Sequence, residues 1–198
     1  AGDALEIAEA SSAMFNGKIM GLKIAKDMGA PVDEIPQSWY EKANVLKSHP
    51  GAITPYQELN IEEGIFPVIH CLQEIPCNPC TTVCPTHSII IEGESIMGQP
   101  LYKGSCIGCG KCLFICPGLA ISLVDFRKDT EQPIVSLPYE VGNYPVKPGD
   151  MLRVVDIDAN DLGQFPVISV SNSPLNKTQM VKIQIPKCKF LPKFKNPR

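Results

Sequence analysis

The sequence predicts an α+β chain in three parts: a helical amino-terminal segment (1–70), a cysteine-rich middle (71–126) and a small β-barrel or sandwich at the carboxyl end (127–198). Three observations carry that division. Apolar residues recur at helical spacing near the start, eight of the nine cysteines fall between Cys71 and Cys116, and short β-branched runs separated by turn residues follow Arg127. With 198 residues, 44% hydrophobic and 20% charged, the chain can bury the core of one large domain or two small modules.

Residues 1–29 read as one amphipathic helix. Ala10, Ala13, Met14, Met20, Ile24 and Met28 form its apolar stripe, and Lys18, Lys23 and Lys26 lie off it. Gly17 and Gly21, four apart, leave room for another backbone to approach. Gly29 offers a position just past the helix end, before Pro31. Ala30–Pro36 is a linker, and Ser38–Ser48 makes a second, shorter helix ended by the Pro50-Gly51 turn. Residues 52–70 show no clear period and are expected to be loop with short pieces of order. At the far end, Pro133–Tyr139, Met151–Ile157, Phe165–Val170 and Met180–Ile185 are the strand candidates of a four- to six-stranded β module. In the last of them Val181, Ile183 and Ile185 alternate with Lys182 and Gln184, the mark of a half-buried strand.

Charge and composition exclude several classes. A net charge of −3 argues against a strongly basic nucleic-acid binder. No apolar run approaches the roughly 18 residues that would cross a bilayer, so no integral membrane segment is expected. No secretory signal is visible, and the expected location is cytoplasmic. Seven basic residues and no acid lie between Asn176 and Arg198, a tail that either keeps an exposed end solvated or docks on an acidic partner. An odd number of cysteines, crowded into a quarter of such a chain, argues for metal rather than disulfides.

The cysteine spacing is specific. Cys106-x2-Cys109-x2-Cys112-x3-Cys116-Pro117 matches the four-cysteine run of bacterial-type iron–sulfur proteins. Two-residue gaps let a tight loop wrap three thiolates round one face of a 4Fe–4S cube, and the fourth lies a helical turn later, pointing elsewhere. Gly108 and Gly110 allow backbone conformations in which amides point at sulfur. A second copy is displaced by 32 residues: Cys77, Cys80, Cys84, Pro85 and Ile89 precede Cys109, Cys112, Cys116, Pro117 and Ile121 by that offset. The counterpart of Cys106 would be Glu74, but Cys71 stands three residues earlier. Because the fourth cysteine of each run serves the other cluster, Cys71, Cys77, Cys80 and Cys116 are assigned to one cube and Cys84, Cys106, Cys109 and Cys112 to the second. At Cys71 a 3Fe–4S cluster or an oxygen ligand from Glu74 stays open as an alternative. Structural zinc is the competing use of such thiolates, although it favours paired CxxC knuckles. Cys188 is read as an unliganded thiol, and His70 and His87 as packing or surface residues.

Cys71–Leu123 resembles a two-cluster bacterial ferredoxin domain. The resemblance implies a β-α-β-β-α-β fold around two [4Fe–4S] clusters that transfers single electrons, with Ile89, Ile107, Leu113, Ile115 and Ile121 shielding the clusters. Ala1-Gly2-Asp3, Glu9-Ala10-Ser11-Ser12-Ala13 and the Gly17–Gly21 pair resemble the closing segment of FAD/NAD(P)-dependent oxidoreductases of the amino-acid dehydrogenase large-subunit type. That likeness implies that Gly2 and Asp3 lie beside FAD in the complete protein, Asp3 on the ribityl chain and the helix N-terminus aimed at the cofactor. Several members of that group carry a 2Fe–2S module, whereas this chain has the eight-cysteine kind. No G-x-G-x-x-G occurs, so the chain is expected to be the tail of a longer polypeptide or one subunit of a split enzyme, with no substrate chemistry alone. The expected function is iron–sulfur electron transfer between FAD, in a flavoprotein domain or subunit, and a redox partner protein. A stand-alone dicluster carrier is the alternative.

Overall fold

A computed structural model describes residues 10–46, 63–71, 75–92, 98–140, 142, 144–156 and 159–189. Its elements are α1 (Ala10–Asp27), α2 (Gln37–Val45), β1 (Ile65–Ile69), α3 (Pro79–Thr82), β2 (Ile89–Ile91), β3 (Pro100–Tyr102), α4 (Lys111–Ile115), β4 (Ile121–Asp125), β5 (Ile134–Glu140), β6 (Met151–Val155), β7 (Asp161–Asn172) and β8 (Thr178–Gln184). The chain divides into two units. One takes residues 1–54, 72–78 and 91–99, the other 55–71, 79–90 and 100–198.

In the first unit α1 and α2 form a helical hairpin. After α1 the Gly29 amide reaches the Lys26 carbonyl (2.9 Å) and the Ala30 amide the Ala25 carbonyl (3.0 Å), a Schellman closure with Gly29 at φ +85°. The first nine residues of the expected helix lie outside the described residues. The stripe read from the sequence is not the buried face of this unit. Met14, Ile24 and Met28 are more than half exposed, while Ser12 and Ile19 are buried. The physical reason is the chemistry of α2. Trp39 and Tyr40 present aromatic faces to which Lys18 (4.0 Å) and Lys23 (5.2 Å) bring their ammonium groups, and Phe15 tilts against Trp39 at 6.3 Å. Lysines can lay their methylene stems on apolar surface in this way, so a charge does not mark the solvent face. Ser12 is hidden because its hydroxyl donates to the Ala43 carbonyl at 2.7 Å, which removes the cost of burying it.

The second unit is built on a six-stranded sheet in the order β1-β4-β5-β8-β7-β6, every pair antiparallel, with β2 and β3 forming a separate ribbon. The expected carboxy-terminal barrel or sandwich is therefore corrected. β5 pairs with β4 on one side and β8 on the other, so the late strands extend an open sheet instead of closing on themselves. Alternation along a strand tells which residues are buried, not what the strand's edges pair with. β1 occupies a stretch expected to be largely loop. Its buried Pro67 lacks an N–H but sits opposite Leu123 in an edge strand, where a missing donor is tolerated.

β4 separates two cores, because successive side chains point to opposite faces. Ile121 and Leu123 join Cys80, Ile89, Cys112, Leu113 and Met180. Val124 and, just past the strand, Phe126 join Phe66, Val68, Val181 and Ile183 on the other side. At roughly 1.5–3 kcal/mol for each large apolar side chain fully buried, both faces contribute strongly to holding β4 in place.

Candidate metal centre

From β1 to β4 the elements follow in the order β-α-β-β-α-β. The 32-residue repeat of the sequence reappears in the backbone. α3 begins at Pro79 and α4 at Lys111, 32 positions later. Beyond each helix, His87 and Leu119 both take φ +51°, and their amides return to the Cys84 and Cys116 carbonyls at the same 3.2 Å. A left-handed residue with a side chain costs about 1–2 kcal/mol. In both copies that turn brings the next amide onto sulfur: Ser88 N–H donates to Cys84 Sγ and Ala120 N–H to Cys116 Sγ, each at 3.3 Å.

Four thiols from two separate segments line one cavity. Cys84 comes from the turn before β2, and Cys106, Cys109 and Cys112 from the loop running into α4. The space amounts to about 340 Å³, counting solvent at its mouth, and Pro67, Ile89 and Leu123 supply apolar wall. The Cys106–Cys112 loop is shaped by Gly108 and Gly110, at φ +76° and +73°. The Gly108 amide donates to Cys106 Sγ (3.3 Å), and the Cys106 amide donates to the Tyr102 hydroxyl (3.2 Å). Among the described residues no three or more His, Cys, Asp or Glu side chains converge closely enough to hold a single metal ion.

Electrostatics describe the same site. Burial, with the neighbouring Cys106, Cys109 and Cys84 adding to it, pushes the Cys112 thiol up to about 12. Burial likewise raises Cys106. At Cys84 burial also acts upward, but hydrogen bonds with the Thr86 hydroxyl and from the Ser88 amide outweigh it and the thiol lies below its ordinary value. Buried thiols crowded in this way resist ionising until a cation compensates them, and a coordinated metal deprotonates a thiol outright. The residues therefore fit an iron–sulfur cube: sulfur donors around a space, amides aimed at sulfur, and apolar wall.

The other assigned ligands are placed less closely. Cys80 is buried in the apolar cluster of Leu113 and Ile121, and Cys116 is packed against it. Cys71 is half-buried. Cys77 belongs to the first unit, where its amide donates to the Ile75 carbonyl at 2.7 Å. Glu74, Gly2 and Asp3 lie outside the described residues. No disulfide joins any of the nine cysteines, and Cys188 is exposed. The His70 amide donates to the Ala120 carbonyl at 2.7 Å, and burial lowers the imidazole's pKa. Of the five expected shielding residues Ile89, Leu113 and Ile121 are buried, whereas Ile107 is 57% exposed on the loop itself. Sequence reasoning missed Thr86, Tyr102, Asp125 and Arg127. Only Thr86, two residues past Cys84, carried a local signal.

Residues 101–122 match the family described as 4Fe-4S binding domain. Pyruvate synthase subunit PorD of Thermotoga maritima is 37% identical over 65 residues, 33% of this chain and 61% of PorD. The oxidoreductase UacF of Escherichia coli is 35% identical over 51 residues, 25% of this chain and 8% of UacF. The matched stretch thus spans under two thirds of either relative. No solved structure matches the chain. These matches support 4Fe–4S binding and an iron–sulfur electron-transfer function of the oxidoreductase type. Among the described residues no helix is long and apolar enough to cross a membrane.

Proposed function

We propose that the chain is the iron–sulfur region of a flavin-dependent oxidoreductase, holding two [4Fe–4S] clusters through which single electrons pass between FAD and an external partner. One observation carries the cluster part of the reading: Cys84 lines the same cavity as Cys106, Cys109 and Cys112 although it stands 22 positions before the first of them. That placement supports the crossed ligation expected when the fourth cysteine of one run serves the cluster of the other. Cys71, Cys77, Cys80 and Cys116 would hold the second cluster, with Gly2 and Asp3 towards the flavin. The order β-α-β-β-α-β and the repeated turn after each Cys-Pro support a ferredoxin-like arrangement.

Such clusters supply reversible one-electron storage without bond making. What the residues contribute is ligation, orientation and environment. The amides of Ser88, Gly108 and Ala120 donate to Cys84, Cys106 and Cys116 sulfur, where they stabilise negative charge. Leu113, fully buried, and Leu123 exclude water from the inner side. Exposed Cys109 and Ile107 mark the side open to a partner.

Anaerobic purification with metal and sulfide analysis tests the cluster count. About eight irons and eight sulfides per chain are expected; four, or zinc in their place, would overturn it. Flavin absorbance beside the cluster band in a longer gene product supports the flavin link. The PorD match, which takes in 61% of that subunit, favours a second reading, a ferredoxin-type carrier or subunit. Clusters without flavin in the complete complex would select it.

A further inference from the structure

We propose that Arg127, clamped by Asp125 beside the Cys106–Cys112 loop, is a positioning residue that raises the reduction potential of the cluster bound by Cys84, Cys106, Cys109 and Cys112. The inference rests on the two-cluster reading above. Asp125 is the last residue of β4 and its side chain is only 16% exposed, so the strand fixes where its carboxylate stands. Arg127 follows two residues later and folds back onto it. Its amide (3.1 Å) and Nε (2.8 Å) donate to Asp125 Oδ1, and Nη2 donates to Oδ2 at 2.7 Å. A two-pronged pair of this kind holds a guanidinium far better than a single surface contact.

The clamp places the charge against the ligand loop. A Cβ added to Gly108 would lie 3.5 Å from Arg127 Nη2, and no carboxylate oxygen is among the three nearest atoms to that point. The same Gly108 donates its amide to Cys106 Sγ at 3.3 Å. Gly108 thus stands next to both the guanidinium and the Cys106 sulfur. Reducing a cluster adds one negative charge, so a fixed cation there stabilises the reduced state. Asp125 opposes it from farther back. At 53% exposure the arginine side chain is partly screened, which makes the effect dependent on salt.

The test is a redox titration of the full chain with both clusters, followed by EPR, in three variants. Arg127→Gln removes the cation and leaves the carboxylate, and one of the two potentials is expected to move more negative. Asp125→Asn releases the guanidinium from its two-pronged hold while removing the opposing carboxylate, and the same potential is expected to move less than in Arg127→Gln. Arg127→Lys keeps the charge and is expected to restore most of the wild-type value. The first shift should shrink as salt is raised. A positive shift in Arg127→Gln, a larger shift in Asp125→Asn than in Arg127→Gln, equal movement of both potentials, or no movement in Arg127→Gln with full iron and sulfide would overturn the proposal while leaving the two-cluster reading intact. Iron and sulfide too low for two clusters in the wild-type chain would overturn both.

Discussion

The two copies of the 32-residue repeat share the turn after Cys-Pro and differ in what surrounds it. Both turn through a left-handed residue after Cys-Pro, and both send the amide four residues past the cysteine to its sulfur. In the first copy the position two past the cysteine is Thr86, whose hydroxyl lies 3.5 Å from Cys84 Sγ and 2.8 Å from the Ser88 hydroxyl. In the second copy the matching residues are Gly118 and Ala120, which have no hydroxyl to offer. The backbone turn that follows Cys-Pro is the same in both. Side-chain donors, which bias how easily negative charge is accepted, are present in one copy only. A duplication can thus keep two cysteine turns alike while their surroundings drift apart.

The harshest way to break this comparison is to remove the crossing cysteine of each copy. Cys84→Ala should abolish the cluster of the cavity and Cys116→Ala the other, each taking away about half of the iron, read by metal analysis and EPR. If both variants lost the same signal, the crossed assignment would fail. Next in size is Leu113→Ala. The side chain is fully buried in the core that holds Cys80 and Cys112, and its truncation should cost about 2–5 kcal/mol, measured as a lowered denaturation midpoint of the loaded protein.

Gly108→Ala probes the second copy alone. At φ +76° and with its new Cβ 2.5 Å from Ile65 Cδ1, it should destabilise by about 1–3 kcal/mol in the same assay. Thr86→Val probes the first copy alone. Loss of one hydrogen bond near sulfur, worth about 1 kcal/mol, should make the potential of the Cys84 cluster more negative and leave its partner unmoved. A matching shift in both potentials would erase that asymmetry. Smallest, and outside the repeat, Ser12→Ala should cost about 1 kcal/mol through the lost bond to the Ala43 carbonyl, with both EPR signals unchanged.

The shape of the cysteine loops was legible because its information is local. Two-residue gaps, Cys-Pro and the flanking glycines dictate a loop whatever the rest of the chain does, and the 32-residue offset pointed to Cys84 as a partner of the later loop. The face of α1 was not legible, since it depends on Trp39 and Tyr40 accepting lysines and on Ala43 accepting a hydroxyl from Ser12. β1 hid for a related reason. It carries a proline and is buried at three consecutive positions, so neither alternation nor propensity announced it. The late strands were located within a few residues, but their edges meet β4, and pairing across that distance leaves no periodic trace.

The strand β8 also reaches the cysteine helix. Met180 belongs to the core of Cys80 and Cys112, its sulfur would meet a Cβ at Gly110 at 2.9 Å, and Asn176, just ahead of β8, donates to the Phe114 carbonyl at 2.7 Å. The cysteine segment is therefore not a cassette that can be cut out and grafted onto another protein at its last strand. Moved without residues 173–184, its second helix would arrive without a floor and with a dangling carbonyl. A transplant meant to wire a new enzyme would have to carry the trailing hairpin as part of the socket.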